Sequence, residues 1–269
     1  MIITDNFVLL AFPKTGTTYT TNALRTIHAR RGLLGRVWPQ RWQKRDFPRP
    51  GYREHRIALP AVPPHHKARM TRHGTYRDIP ETERNKVIAS IVRNPFTRYT
   101  SAYLFQTRMR KHLRPVAEPQ RLQAVYPAYP DLSFADYYDM LHRFETPREL
   151  GGIEPRMVLG SQTVHFINFY FRDPDAVFRR IDRDYIEQEQ FRDDMADIYF
   201  MHQEHLREEF GQFLRTMGYS EAECDLAGSQ GQKNVAERKK EENSLGHFYD
   251  DTLRQRVLER DALIFKMFP

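Results

Sequence analysis

Two runs of apolar residues are each followed by a stretch with the spacing of a helix. Residues 7 to 12 are all apolar, and residues 87 to 92 form a second run interrupted only by Ser90. Runs of this kind are typical of strands buried on both faces of a parallel sheet. The stretch from Thr17 to Arg31 predicts a helix that Gly32 ends. We therefore expect an α/β fold, with a mainly parallel central sheet flanked by helices.

The remaining pattern predicts further elements at lower detail. Ser133 to Phe144 is expected to be a helix, with Asp136 at the third helical position of a capping-box-like start. Four prolines between Arg114 and Pro130 predict a long loop without regular structure. Further segments are predicted at 164–171 and 197–201 (apolar or β-rich), at 204–217 (a helix ended by Gly218) and at 249–268 (the last helix).

Length and composition restrict the protein class. The chain has 269 residues, enough for a sizeable core, and we expect one domain over 1–269 with acceptor-side loops or insertions at 33–70 and 106–132. No stretch approaches the ~18 uninterrupted apolar residues of a membrane span, and Met1 lies too close to the first strand for a cleaved signal peptide. The single cysteine, Cys224, excludes an internal disulfide and favours a reducing, cytoplasmic location.

The charge of the chain favours anionic partners. The formal net charge is +7, and residues 36–56 interleave seven Lys and Arg with Trp38, Trp42, Phe47 and Tyr52. Such a stretch can stack bases and contact phosphates, so a nucleic-acid binder is one interpretation. It can equally stack sugar rings, bind an acidic acceptor, or be a solvated loop. From its position after the first helix, we expect this stretch to form a lid or wall that covers an acceptor site. We expect no nucleic-acid partner.

The turn after the first strand carries the chemistry of an anion site. Pro13 ends the strand, and Gly16 permits a close approach of the backbone. The N-terminus of the next helix then presents its amides beside Lys14 and the hydroxyls of Thr15, Thr17 and Thr18, which suits phosphate or sulfate. An ATP-type P-loop needs a lysine after its second glycine, whereas Lys14 precedes Gly16 here.

The motif PKTGTT, residues 13–18, instead resembles the loop with which sulfotransferases hold the 5′-phosphosulfate of 3′-phosphoadenosine 5′-phosphosulfate (PAPS). In that family an arginine at the end of a second strand and a serine eight positions later bind the 3′-phosphate. Arg93 and Ser101 have this spacing in RNPFTRYTS. An ion pair at a strand end and a helix-surface hydroxyl are the alternative interpretations of these two residues.

The resemblance extends to most of the chain, more weakly. Residues 197–220 resemble the late strand and helix of many sulfotransferases, and 249–268 are similar to the closing helix of carbohydrate-type members. The resemblance implies a P-loop NTPase-like sulfotransferase fold, PAPS as sulfuryl donor and PAP as product. No H-E-x-x-H pattern or Cys/His metal-ligand spacing is present in the sequence, so we expect no structural or catalytic metal.

The reaction needs a base, which works best with a pKa near neutrality. Cytosolic sulfotransferases carry a histidine in K-T-H-x-P about twenty residues before the 3′-phosphate arginine, and His73 in TRHGTYRDIP matches that place. Thr71 stands where the family has lysine, so Arg72 or Arg69 would take over that role. A surface-loop histidine is the alternative, and His65, His66 and Glu54 are the reserve candidates.

These assignments imply a mechanism. Arg93 and Ser101 would hold the 3′-phosphate and the 13–18 loop the 5′-phosphate, while His73 would deprotonate a hydroxyl or amine of the acceptor. Lys14 would neutralise charge on the leaving oxygen. The basic run Arg238-Lys239-Lys240 would close over the nucleotide, unless it is only a solvated charge run. The acceptor is expected to be a small molecule, sugar or lipid. A P-loop kinase-like phosphotransferase and an inactive nucleotide- or nucleic-acid-binding protein remain alternatives, and oligomeric state is not readable.

Overall fold

The computed structural model describes residues 1–32, 49–59, 69–108, 117, 119–229 and 247–269. It forms two compact units, Met1–Arg93 with Asp197–Asn234, and Asn94–Ala196 with Val235–Pro269. The single domain expected over 1–269 stays a prediction. Within the described ranges, no helix combines the length and the apolar character that a bilayer crossing needs.

The first unit contains a five-stranded sheet with the order β3-β1-β2-β6-β7. Its strands are β1 (Ile2–Thr4), β2 (Phe7–Leu9), β3 (Tyr52–Glu54), β6 (Val87–Val92) and β7 (Tyr199–His202). The pairs β2·β6 and β6·β7 are parallel, whereas β1 is antiparallel to β2 and to β3. A separate antiparallel hairpin joins β4 (Ile57–Leu59) to β5 (Arg69–Thr71). The predicted α/β class and the two parallel strands that carry the motifs are confirmed.

Helices cover this sheet through one apolar core. In the described part of this unit, the helices are Thr17–Arg31, Leu206–Thr216 and Glu221–Ser229, with short 3₁₀ turns at Tyr76–Asp78, Glu81–Glu83 and Gln203–His205. Phe7 of β2 packs edge-on against Phe213, with ring centroids 4.9 Å apart. The predicted first helix and its end at Gly32 are confirmed, as is the helix that Gly218 ends. Cys224 is buried as a free thiol in this core.

The second unit is helical. The α-helices among its described residues are Pro95–Arg108, Pro119–Val125, Phe134–Met140, Thr146–Glu149, Ser161–Tyr170, Pro174–Arg180, Arg183–Glu187, Phe191–Asp194, Asp251–Arg260 and Ala262–Met267, and Leu141–Glu145 forms a π-helical turn. Ser133 caps the predicted helix by accepting a hydrogen bond from the amide of Asp136. Aromatic residues dominate its core; Tyr99 and Tyr138, for example, are almost fully buried.

Three predictions for this unit were wrong. Pro119–Val125 is a helix rather than loop, because proline is tolerated in the first turn and Leu122 is fully buried. The segment 164–171, predicted as apolar or β-rich, belongs to the helix Ser161–Tyr170, since a helix buried on most sides loses its polar face. The last helix breaks at Asp261, whose buried carboxylate accepts hydrogen bonds from Thr163 and Tyr99.

Candidate active site

The anion loop follows β2 at the carboxyl edge of the parallel strands. Strand β2 lies beside β6 in register, with Leu9 opposite Ala89. The pairing continues past the strand, because the Leu10 amide donates to the Ala89 carbonyl at 2.9 Å and the Ser90 hydroxyl donates to the Leu10 carbonyl at 3.2 Å. Ligands of open α/β sheets bind beyond this edge. The sheet therefore delivers the 13–18 loop to the usual binding side.

The loop has an unusual backbone at two positions. Lys14 has a φ of 69° and Gly16 a φ of 91°, both in the left-handed region. Lysine rarely adopts this conformation, and such strained residues cluster at functional sites. A Cβ at Gly16 would also lie only 2.9 Å from Leu206 Cδ2, so glycine is required by conformation and by space. The turn aims the loop into the first turn of the helix Thr17–Arg31, which contains no acidic residue.

The three predicted threonines are placed differently from one another. Thr15 is fully buried, and its hydroxyl donates to the Phe12 carbonyl at 2.9 Å, so its proton is used within the loop. Thr17 is also buried, whereas Thr18 is exposed. Gly16 at the N-cap provides no side chain to bond the first-turn amides. Backbone amides, Lys14 and Thr18 are thus the groups of this loop best suited to meet an anion.

Arg93 reaches the same loop from the end of β6. Its Nη1 donates a hydrogen bond to the main-chain oxygen of Lys14 at 3.3 Å. Val92, the preceding residue, pairs with His202 at the end of β7. The guanidinium and the lysine loop are therefore in contact, although 79 positions separate them in sequence. Two residues with cationic side chains, Arg93 with its planar guanidinium and Lys14 with its compact ammonium, therefore lie at one edge of the sheet.

His73 lies against the start of the same loop. Its Nδ1 is 2.6 Å from the Ala11 carbonyl oxygen, which can only accept, so Nδ1 carries the proton and Nε2 carries the lone pair. Burial is the main reason why the pKa of His73 is lowered; the cations Arg72 and Lys14 act in the same direction, and the Ala11 bond opposes them. The imidazole is therefore neutral at pH 7 and able to accept a proton at Nε2.

Two further residues belong to this neighbourhood: Arg72, which the sequence predicted as a substitute for the family lysine, and His202, which the motif comparison did not single out. The Arg72 guanidinium donates from Nη1 to the hydroxyl of Thr21 in the first helix at 3.2 Å. His202, at the end of β7, has its Nδ1 3.2 Å from a Glu209 carboxylate oxygen. The signal for His202 in the sequence was its position directly after an apolar strand, which places it at the same edge as Arg93.

Other predicted residues lie elsewhere. Ser101 is half-buried in the helix Pro95–Arg108 of the second unit. The predicted base candidates His65 and His66, and the basic residues Arg238 and Lys239, lie outside the described residues. The lid predicted over 36–56 is described only from Arg49 onward, where it forms β3 of the sheet.

Glu54, the acidic reserve base, is held by cations. It lies in β3, and its carboxylate accepts from Arg25 Nε at 2.6 Å and from Arg56 Nη2 at 3.0 Å. Burial disfavours its ionised form, but the bonds and charge of Arg25 outweigh burial, so the pKa of Glu54 is lowered. A carboxylate in this state is a poor proton acceptor, which leaves His73 as the better-placed base of the two.

One cluster of metal-ligand types occurs among the described residues, in the second unit. Glu145, Glu149 and His165 bring their ligand atoms within 4.8 Å of one another. His165 Nε2 lies 2.7 Å from Glu149, and a guanidinium nitrogen of Arg148 lies 3.8 Å from each of the two carboxylates. The nearby carboxylates raise the pKa of His165 in spite of burial. The cluster is thus accounted for as a network of ion pairs, and the absence of a metal stays a prediction.

Comparison with known proteins gives one match. A model described as "Sulfotransferase family" matches residues 2–261. Neither the curated proteins nor the solved structures gave a match. The matched range includes the lysine loop, His73, Arg93 and the last long helix.

Proposed function

This chain belongs to the sulfotransferase family, and we propose that it moves a sulfuryl group from PAPS to a hydroxyl or amine of an acceptor, with His73 as general base. Sulfotransferases as a family act on small-molecule or glycan acceptors. The observation that carries the proposal is the hydrogen bond between Arg93 and the Lys14 carbonyl. It supports one anion site built from both predicted motifs rather than two separate ones.

The hydrogen-bond donors and cationic groups of the site suit a nucleotide with two anionic ends. First-turn amides of the helix Thr17–Arg31 and the Lys14 ammonium would meet the 5′-phosphosulfate. The Arg93 guanidinium presents a planar fork of the kind that binds phosphate bidentately, and would meet the 3′-phosphate. The part of Ser101 in binding the same phosphate rests on its spacing from Arg93 in the sequence.

Sulfuryl transfer makes one bond to sulfur and breaks another. The acceptor oxygen or nitrogen forms a bond to sulfur while the bond from sulfur to the 5′-phosphate oxygen breaks, leaving PAP. His73 Nε2 takes the acceptor proton, because Nδ1 is already bonded to Ala11. Lys14 stabilises the negative charge that grows on the departing oxygen, as fixed cations do in phosphoryl transfer. The sulfated acceptor and PAP are the products, and the residues named use no metal ion.

Arg72 is placed to support this site. It stands next to His73 and bonds Thr21 of the first helix, so its charge adds to the cations around the loop. The family lysine two residues before the histidine is Thr71 here, and we propose that Arg72 supplies the missing positive charge. We also propose that the acceptor is a sugar, lipid or metabolite and that the protein is closest to the carbohydrate-type members of the family. A cytoplasmic location is part of the same proposal.

The test is transfer from ³⁵S-labelled PAPS to pooled small-molecule, sugar and lipid acceptors, with the product identified by mass. We expect sulfated product without added Mg²⁺, and about 100-fold less when Lys14→Met replaces the wild type. Mg²⁺-ATP in place of PAPS should give no phosphorylated product; if it does, the kinase-like alternative is correct. Tight PAP binding without transfer to any acceptor would indicate an inactive binding protein. Affinity for random RNA in place of PAP would favour a nucleic-acid binder.

A further inference from the structure

The second unit contains an open cleft of about 900 Å³. Its walls come from residues 139–159 and from the helix Asp251–Arg260. The volume is in the range of ligand pockets for small molecules. None of the residues assigned to sulfuryl transfer lines it. The cleft is therefore a candidate binding site for a different ligand.

Part of the lining of the cleft is apolar. Leu150, Ile153 and Met157 line the cleft and are half-buried, so each retains surface toward solvent. The adjacent Val158 also lines the cleft and is 66% exposed. Exposed apolar surface in a concave site usually marks a binding site. A ligand that covers these residues would carry a hydrocarbon or aromatic portion.

The cleft is also lined by basic residues. Arg143, Arg256 and Arg260 line it, and none of the three forms an ion pair with a carboxylate in the described part of the chain. Arg256 instead lies over the ring of Tyr138, 5.4 Å from its centroid. The fourth arginine of the lining, Arg156, is paired with Asp182 at 3.3 Å.

The acidic groups of the lining are fewer than its arginines. The lining contains four arginines and two carboxylates, Asp139 and Glu154, so its formal charge is +2. Asp139 accepts a hydrogen bond from the Tyr126 hydroxyl at 2.5 Å, and Glu154 is exposed. His142 donates from Nδ1 to the Tyr138 carbonyl at 2.7 Å and accepts at Nε2 from the Ser161 amide. Burial lowers the pKa of His142 to about 4, so it is a neutral part of the wall.

We propose that this cleft binds a small anionic amphiphile, with its carboxylate or sulfate on Arg143, Arg256 and Arg260 and its apolar body on Leu150, Ile153 and Met157. Guanidinium groups bind such heads through charge-assisted hydrogen bonds. A neutral ligand would leave the three arginines without an anionic partner, and a cationic one would be repelled. The site uses none of the residues assigned to sulfuryl transfer and does not depend on the proposed function.

The test is calorimetry of the full chain with octanoate, octan-1-ol, octyltrimethylammonium and acetate at one ionic strength. We expect octanoate to bind about tenfold or more tightly than octan-1-ol, since hydrogen bonds to charged groups contribute about 1.5–3 kcal/mol. Acetate and the cation should not bind measurably. The Arg256→Gln/Arg260→Gln double variant should lose about tenfold in octanoate affinity, and the exposed-site variant Arg143→Gln should lose affinity in the same direction.

Arg254→Gln is the matched control, because Arg254 lies on the same helix over Phe96 and does not line the cleft. Its octanoate affinity should stay within about twofold of wild type. Equal affinity for octanoate and octan-1-ol overturns the proposal, as does undetectable octanoate binding. Unchanged octanoate binding in the folded Arg143→Gln and double variants, or displacement of octanoate by PAP, overturns it as well. The measurement contains no sulfuryl donor, so its failure leaves the transferase proposal untouched.

Discussion

Arg93 and Lys14 meet through a hydrogen bond from the Arg93 guanidinium to the Lys14 main-chain oxygen at 3.3 Å. They follow neighbouring parallel strands, whose spacing of about 4.8 Å places their carboxyl ends side by side. The bond holds one cation against the backbone of the loop that carries the other. A bisphosphorylated nucleotide needs two cationic positions close together, and in the proposed function this pair would provide them.

Lys14→Met should reduce turnover by about 100-fold or more, because the ammonium that stabilises the leaving oxygen is lost while the chain length is kept. The measurement is sulfuryl transfer from labelled PAPS at saturating acceptor. Lys266→Met is the matched control, since Lys266 pairs with Glu189 at 3.5 Å in the second unit. Equal turnover of Lys14→Met and Lys266→Met would remove Lys14 from the mechanism.

Gly16→Ala should lower the free energy of unfolding by about 1–3 kcal/mol and weaken PAP binding. A φ of 91° strains any residue with a Cβ, and the new Cβ would meet Leu206 Cδ2 at 2.9 Å. Urea unfolding and calorimetry with PAP measure the two effects. Gly211→Ala, in the middle of the helix Leu206–Thr216, is the control and should stabilise by up to about 1 kcal/mol. A neutral result for Gly16→Ala would contradict the described loop conformation.

His73→Gln should reduce turnover by about 100-fold and leave PAP affinity nearly unchanged, as expected of a base that contacts the acceptor. The pKa of His73 is lowered by burial, so its imidazole stays neutral to a lower pH than that of an ordinary histidine. Wild-type kcat/KM should therefore be constant near pH 7 and fall only as the pH drops below about 6.5. The acid limb should disappear in His73→Gln and persist in the exposed-site control His247→Gln. An acid limb that persists in His73→Gln would assign it to another group.

Asp261→Asn should change the pH dependence of stability. Burial raises the pKa of Asp261 from 3.8 to about 6 in the folded protein. Because this pKa is raised, the folded protein favours the protonated carboxyl group of Asp261. The resulting stabilisation is complete below pH 3.8 and is lost as the pH rises through about 6. Relative to Asp261→Asn, the wild type should lose about 1 kcal/mol of unfolding free energy between pH 5 and 7.5. Parallel stability profiles of the two proteins, from denaturant unfolding, would show that Asp261 does not titrate in this window.

The sequence predicted the parts of the site that local patterns specify. The helix from Thr17 to Arg31 and the strand from Val87 to Val92 follow from apolar runs and from glycines at turn positions. The contact of His73 with the Ala11 carbonyl joins residues 62 positions apart, and no local pattern specifies such a bond. The same holds for Arg72 and Thr21. The hydrogen bond from the Thr15 hydroxyl to the Phe12 carbonyl also depends on the folded loop, which the motif alone does not describe.

The three errors in the fold have different physical causes. A short apolar run such as 164–171 fits a buried strand and a buried helix equally well, and packing in the second unit decided for a helix. Prolines near 119 predicted a loop, although Pro119 begins a helix at a position where its missing amide costs nothing. Asp261 ends the helix Asp251–Arg260 because its carboxylate is used by Thr163 and Tyr99, far from it in sequence.

The most direct measurement compares the affinities of PAP and adenosine 5′-phosphate for the wild type, Arg93→Gln and Arg215→Gln, by calorimetry. Arg215 is the control because it pairs with Glu221 on the surface at 2.9 Å. We predict that the wild type and Arg215→Gln prefer PAP by about tenfold or more, and that Arg93→Gln loses this preference while still binding adenosine 5′-phosphate. An undiminished preference for PAP in Arg93→Gln would show that the 3′-phosphate is bound elsewhere, and would contradict the account.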